Sequence, residues 1–473
     1  FVVNFEMWSS WALPLLGAFL FIGSVRSDDS GCASSGMTPF DYAEALCKSI
    51  LFYDAQRSGK LSGDERFDWR GDSTLTDGAD NSVDLVGGYF DAGDFVKFGF
   101  PMAYTITLLS WSLLAYPNGY QTTGQTDYAR AAIKWGTDYF LKAHTSTDTL
   151  WGQVGDGGID HAYWGRPEDM DVERPSDYID SQEPGSDLAG ETAAALAAAS
   201  IVFQDVDSSY SAQLLQAAKE LYDFADNYRD FYYNAIQGAA GYYLSSDYHD
   251  ELVYGALWLN RATGDEAYLT KAKQYIEEFG FLGIQYGWTY NFDWDDKRAG
   301  CYALLAELDG SDLYRETLRN YTIYLRNEQQ KTPLGLVYIM QWGTLRHANN
   351  VAFIALRAAE LGLDVDENIN FAKTQIDYTL GSTGRSYMVG FGVNPPVRPH
   401  HRAASCPYPP ATCDWAQEST TDPNPHVIYG AIVGGPDQND QYTDDRNDYT
   451  HNEVADDYNA ALTGVLAYFV QNN

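Results

Sequence analysis

Twelve stretches of this chain repeat their apolar residues at the 3.6-residue period of an α-helix, and no convincing alternating strand series lies between them. They fall near 40–56, 101–116, 126–145, 189–204, 210–228, 248–263, 266–279, 298–309, 312–328, 344–362, 367–380 and 453–470. Helices with apolar stripes and no sheet to cover can bury those stripes only against one another. The alanine-rich run Gly190 to Ile201 (GETAAALAAASI) lets neighbours approach closely, as inner helices must where they converge on an axis. No internal repeat of fixed period is found, which argues against an α-solenoid. The expectation is an all-α toroid of about twelve helices, with long functional loops at 57–100, 146–188 and 381–452.

The 473 residues exceed the usual domain size, but no Pro/Ser-rich linker or low-complexity tract interrupts them after about residue 36, so one large folded body is expected. A net charge of -36 repels nucleic acid and anionic membranes and excludes polyanion binding as the function. With 12 Trp, 36 Tyr and 22 Phe the chain has too much apolar surface to stay disordered. Tyr and Trp also suit stacking on sugar rings while their polar ends hydrogen-bond.

An apolar run, Trp8 to Val25, follows Met7 and barely reaches the length of a membrane span. Polar residues then follow it, as after a secretory cleavage site. Residues 1–27 are read as a signal peptide, with 1–6 as upstream sequence before Met7, and 28–36 as a short polar tail. The protein is expected to be secreted, with no membrane attachment once the signal is removed. Five cysteines fit a secreted chain that relies on its core, with one left unpaired, and Cys406 and Cys413 could close a small ring.

Tyr442 to Ala460 (YTDDRNDYTHNEVADDYNA) packs five aspartates and one glutamate into nineteen residues. Carboxylates held close raise one another's proton affinity, and one kept protonated near neutral pH can protonate a leaving group. Glu453 is read as that acid. A calcium loop of the EF-hand type starting at Asp437 is excluded, since its sixth and twelfth positions hold Tyr442 and Asp448 instead of Gly and Glu. A solvated acidic turn capping the last helix is the plain alternative. A second carboxylate centre, Asp91 and Asp94, lies in a glycine-rich turn (GGYFDAGDFVKFGFP) before a helix. The helix N-terminus and Lys97 are expected to keep both ionised, which suits a base acting on water. The alternative is Asp94 as an ordinary N-cap.

Ser386 to Arg402 (SYMVGFGVNPPVRPHHR) ends in three polar donors, His400, His401 and Arg402. Adjacent histidines lack a zinc spacing, so donors to sugar hydroxyls fit better. His161, Trp164 and Arg166 (DHAYWGRPED), with Trp342 and Arg346 (QWGTLRH), are further candidates for stacking and hydrogen bonding.

From about Asp41 onward the chain resembles glycoside hydrolase family 9, and within it the animal endo-β-1,4-glucanases of termite and marine-invertebrate type. The Ser386 to Arg402 and Tyr442 to Ala460 segments carry the family's two best-known signatures, and the Asp91 to Asp94 turn and PGSDLAGETAAALAAAS at 184–200 also look like the family's own. The resemblance implies an (α/α)6 barrel spanning 37–473 and hydrolysis of internal β-1,4-glucosidic bonds of cellulose and soluble β-glucans with inversion. It assigns Asp94 as base, Asp91 as holder of the attacking water and Glu453 as acid. Asp444 matches an invariant acidic position and His400 and Arg402 match substrate contacts, while Tyr458, Trp342, Arg346, His161 and Tyr242 fall where cleft residues belong.

Many family members hold a structural calcium, and Ser246, Asp247, Asp250, Glu251 and Asp295 match its segment, with oxygen ligands that suit the ion. Asp250 and Glu251 simply opening a helix is the alternative there. No cofactor is implied for the chemistry. The partners implied are cellulose and soluble β-1,4-glucan chains, met by a monomer. With only thirteen residues after Ala460 and a short N-terminal tail, no separate cellulose-binding module is expected, and crystalline cellulose should be a poor substrate. Two other readings are an enzyme acting mainly on mixed-linkage β-glucan and a catalytically inactive carbohydrate-binding protein. Retention of all three catalytic carboxylates speaks against the latter.

Overall fold

The computed structural model describes residues 26–27, 30–34, 40–63, 65–282 and 291–472. Residues 1–25 of the expected signal peptide and residues 28, 29, 35 and 36 of the tail therefore lie outside the described residues. The described part of the tail is tied down: strand β2 (Ala33–Ser34) pairs with β1 (Arg26–Ser27), the last two residues of the stretch read as signal peptide, and Cys32 is bonded to Cys47.

Among the described residues twelve helices are eleven residues or longer, and each overlaps one of the periodic stretches. In chain order they are α1 (Tyr42–Gln56), α2 (Gly99–Ala115), α3 (Thr126–Ala143), α4 (Ser186–Phe203), α5 (Ser208–Asn227) and α6 (His249–Thr263). Then come α7 (Glu266–Glu278), α8 (Arg298–Leu308), α9 (Asp312–Asn327), α10 (Thr344–Glu360), α11 (Val365–Leu380) and α12 (Asp456–Gln471). The even-numbered helices form a closed inner ring, each touching the next and α12 returning to α2. The odd-numbered helices lie outside, α3 on α2, α5 on α4, and so on round to α1 on α12. This is an (α/α)6 barrel.

The two rings differ in sequence because they differ in burial. Every residue of α4 except Ile201 is buried, so apolar and small side chains occupy its whole circumference. Outer helices such as α5 and α9 bury one stripe and leave the opposite face to water. Glycine is required where α4 meets α6: a Cβ on Gly190 would sit 2.9 Å from the Glu251 Cβ. This explains the small residues of the alanine-rich run.

Two details depart from expectation. A small antiparallel sheet lies beside the barrel, with β5 (Thr149–Val154) pairing β3 (Lys97–Phe98), β4 (His144–Ser146) and β6 (Ser176–Asp180). Its strands are too short, or too buried on both faces, to alternate. In addition α12 begins at Asp456, so Glu453 lies in the extended connection after a short turn of helix, Tyr449–Asn452.

Candidate active site

The loops over one end of the ring enclose a cleft of about 700 Å³, lined among others by Asp91, Asp94, His161, Arg346, Arg402 and Glu453. Three chain segments that are remote in sequence are bonded into its floor. The Arg402 N–H donates to the Gly93 carbonyl at 3.1 Å, the Asp456 N–H to the Asp91 carbonyl at 2.9 Å, and the His400 N–H to the Asn452 carbonyl at 2.8 Å. The aspartate turn is thus clamped between the histidine segment and the start of α12. Gly93 makes that approach possible, because a Cβ there would stand 2.2 Å from the His400 carbonyl oxygen.

Asp94 is not a helix cap, since α2 starts at Gly99 with Phe98 before it. Its Oδ1 accepts from the Ala92 N–H at 3.3 Å and its Oδ2 lies 3.4 Å from His161 Nε2. His161 in turn meets the Tyr242 hydroxyl through Nδ1 at 3.1 Å. The Asp91 Oδ2 accepts from the Tyr243 hydroxyl at 2.5 Å. Burial, and then the neighbouring Asp94, push the Asp91 carboxyl well above its usual range. The expectation that Lys97 keeps both aspartates charged fails for a spatial reason. Lys97 is buried against Asp77, 2.7 Å away, and donates to the Leu85 carbonyl at 2.5 Å.

Glu453 is partly exposed to the cleft, and its backbone is held at both ends: its N–H donates to the Tyr449 carbonyl and its carbonyl accepts from Gly434 N–H. Burial first, and then Asp94, push its carboxyl up to about 8. A group so shifted is a proton donor at neutral pH, whatever bond it acts on.

The sugar-contact candidates sort by exposure. Trp342 is 45% exposed and tilts against Tyr449, and Tyr242 is 41% exposed, so both present open faces. Trp164 also lines the cleft but is only 4% exposed, with its indole N–H donating to Ser405 Oγ and its ring edge-on to His400. It supports the wall more than it offers a platform. Arg402 pairs with Asp160 at 2.5 Å, and Arg346 with Asp457 at 2.8 Å while lying over the Tyr458 ring. The His400 Nδ1–H donates to the Arg446 carbonyl at 2.7 Å, and burial lowers its pKa to about 4, so its Nε2 faces the cleft as an acceptor. Asp444 does not line the cleft. Its carboxylate accepts from the Val397 and Arg398 N–H groups at 2.9 and 3.1 Å, fixing the loop that carries His400. Its placement is that of a positioning residue.

The model of the family described as Glycosyl hydrolase family 9 matches residues 42–466. The chain belongs to glycosyl hydrolase family 9. The chain is similar to Endoglucanase A of Bacillus pumilus, 45% identical over 457 residues that cover 93% of this chain and 68% of that one. The structure of the endoglucanase from the termite Nasutitermes takasagoensis is 57% identical, with a TM-score of 0.90 over 92% of this chain and 99% of that one. Clostridium thermocellum endoglucanase CelQ, whose structure holds cellotetraose, is 36% identical with a TM-score of 0.80, covering 91% of this chain and 70% of that one.

Family 9 chemistry needs no cofactor. Among the described residues, Asp94, Asp160 and His161 bring one ligand atom each within 4.8 Å of one another and could hold a cation. Arg402 already places positive charge on Asp160. The calcium segment is only partly assembled. The Ser246 N–H donates to Asp295 Oδ1 at 2.7 Å, and Asp250 has one buried oxygen, Oδ1, without a hydrogen-bond partner. Burial and Asp296 push Asp250 up, and burial and Asp293 lift Asp295 to about 6, as expected of carboxylates crowded where a cation would relieve them. Asp250 and Asp295 thus carry the hard oxygen donors that suit calcium. Glu251 likewise keeps one buried oxygen, Oε2, without a hydrogen-bond partner while its Oε1 pairs with Lys297 Nζ at 2.8 Å, and the Asp247 carboxylate is paired with His249 at 2.5 Å.

Four contributors escaped the sequence reading: Tyr243, Asp160, Asp457 and Trp415. Asp160 and Asp457 lie inside segments already singled out and Tyr243 and Trp415 lie near them, but nothing local marks the role of any of the four. Tyr243 reaches Asp91 over 152 residues, Asp160 reaches Arg402 over 242 and Asp457 reaches Arg346 over 111, while Trp415 packs on the distant Trp164.

Proposed function

We propose that the endo-β-1,4-glucanase activity of this chain rests on a single inverting displacement, with residues 37–473 as the catalytic domain. Asp94 takes a proton from water, Asp91 holds that water and Glu453 protonates the departing glycosidic oxygen. One observation carries the reading. A carboxyl pushed to about 8 shares a cleft with Asp94, on a floor that ties both to the histidine segment. The carboxyl that holds its proton at neutral pH takes the part of the acid. His161 orients Asp94, and Arg402, Arg346 and His400 meet the sugar hydroxyls, while Trp342, Tyr242 and Tyr458 shape the subsites.

The test is the stereochemistry of the fresh product. Proton NMR during early hydrolysis of cellohexaose should show the α-anomer first, because water attacks the face opposite the leaving group. Early appearance of the β-anomer would overturn the assignment of Asp94 as base.

Calcium belongs to the same reading, held by the segment of Ser246, Asp247, Asp250, Glu251 and Asp295, a reading supported by the unpartnered buried oxygens of Asp250 and Glu251. Bound there it would neutralise crowded carboxylates and stabilise only the folded chain, since the ligands converge only on folding. Exhaustive chelation should lower the melting temperature by several degrees, and added calcium should restore it. An unchanged melting curve, with no metal found by elemental analysis, removes the site. The setting proposed is extracellular, supported by the Cys32–Cys47 and Cys406–Cys413 disulfides, and the working unit a monomer.

A further inference from the structure

The stretch from Cys406 to Asn424 holds only one five-residue helix, Trp415–Ser419, yet it is held at both ends by buried guanidinium groups. At its start the Cys406–Cys413 disulfide closes a small loop, and Arg166 donates to the Pro407 and Ala411 carbonyls at 2.8 Å each. At its end Arg446, fully buried, donates to the Gln417, Thr420 and Asp422 carbonyls and to Asn424 Oδ1, at 2.5, 2.9, 2.9 and 2.8 Å. Arg166 also pairs with Asp169 at 2.7 Å, but the hydrogen bonds of Arg446 run to loop oxygens alone. A buried guanidinium is costly unless its donors are satisfied, so this loop can reach few other positions without stranding a charge.

Between the two clamps Trp415 projects into the cleft. Its ring is 45% exposed and packs on Trp164 at 5.5 Å, and Glu418 one turn later lines the same cavity. The clamp also reaches the reaction centre, because the carbonyl of Arg446 accepts from the Nδ1–H of His400. An open indole face beside a carboxylate is the arrangement that takes a pyranose ring, the face for stacking and the oxygens for its hydroxyls.

We propose that Trp415 and Glu418 form a further subsite for one β-1,4-linked glucose unit, and that Arg446 is the positioning residue that fixes this subsite relative to His400. The inference rests on the glucanase reading above. It assigns Arg166 to the loop instead of to sugar, which departs from the role its sequence suggests.

The test compares wild type, Trp415→Ala, Glu418→Gln and Arg446→Met on cellohexaose, which can fill many subsites, and on cellotriose, which fills few. Trp415→Ala should raise KM for cellohexaose on the order of tenfold. The rise for cellotriose should be several times smaller, with an unchanged melting temperature. Arg446→Met should show the same dependence on chain length, and Trp415→Ala added to it should cost little more. Equal effects of Trp415→Ala on both substrates, or none on either, overturn the subsite. If Arg446→Met fails to fold, Trp415→Ala and Glu418→Gln decide the subsite, and Arg446→Lys, which keeps charge but loses the fork, decides the clamp. Wild-type protein inactive on both substrates would instead overturn the glucanase reading, and the subsite with it.

Discussion

Replacing Glu453 with Gln is expected to slow hydrolysis of cello-oligosaccharides by roughly 10² to 10⁴, the usual contribution of a general acid, while cellobiosyl fluoride is hit far less. Fluoride leaves without a proton, whereas a sugar alkoxide does not. Asp94→Asn should damage both substrates alike, because water must attack in either case. Equal dependence on leaving group in the two variants would refute the division of roles. The pH profile carries a second readout. Glu453 acts while protonated, so wild-type turnover of natural glucan should fall as pH rises through about 8, and this limb should be absent with the fluoride. Stability follows the same proton. With a folded pKa near 8 and an ordinary value of 4.5, folding takes up a proton between these limits, so the contribution of Glu453 is full below 4.5 and lost by 8. Gln mimics the neutral form. The melting temperature of Glu453→Gln should therefore gain on wild type as pH rises across that window, which calorimetry can follow.

Gly93→Ala is expected to abolish most activity without touching a reacting group. The new Cβ would lie 2.2 Å from the His400 carbonyl oxygen and 3.2 Å from the His401 Cα, both backbone atoms that no rotamer change can clear. The aspartate turn would have to lift away, breaking the Arg402 to Gly93 hydrogen bond and moving Asp91 and Asp94 relative to Glu453. Overpacking of this kind costs about 1–3 kcal/mol. A misplacement of 1 Å costs on the order of 10²-fold in rate. The variant should keep its helical circular dichroism, since the two helix rings pack elsewhere, while kcat falls at least that far. A kcat near wild type would mean that the floor of the cleft is not set by this contact.

How much of this could be read beforehand depends on whether a feature is local. Helix periodicity is local, and all twelve long helices stand where it places them, including the alanine-rich helix that proves to be crowded on every side. The carboxylates near Glu453 in sequence are local too, but the rise in its proton affinity comes first from burial and then from Asp94, a remote residue that only the fold brings near. Adjacent residues of a helix are a different matter. Asp250 and Glu251 stand about 100° apart around α6. Asp250 therefore accepts from the backbone N–H of Lys297 while Glu251 meets that residue's ammonium group, a distinction that spacing alone does not show.

Charge partners were the least legible part. Lys97 is three residues from Asp94 in sequence, which suggests an ion pair, but the turn of the chain sends it to Asp77. Arg402 finds Asp160 from 242 residues away, and Arg346 finds Asp457 from 111. Asp444 shares its segment with Glu453 yet supports the backbone before His400, outside the cleft.

By itself, then, the sequence determined which segments are helical, that the alanine-rich one allows close approach, and which residues carry titratable or stacking chemistry, because each depends on composition and spacing within a turn or two. Only the tertiary structure decided the order of the rings, the partner of each buried charge and the clamps on the loop bearing Trp415. These depend on closing the barrel, which brings distant loops to one end, where burial makes every unpaired charge costly.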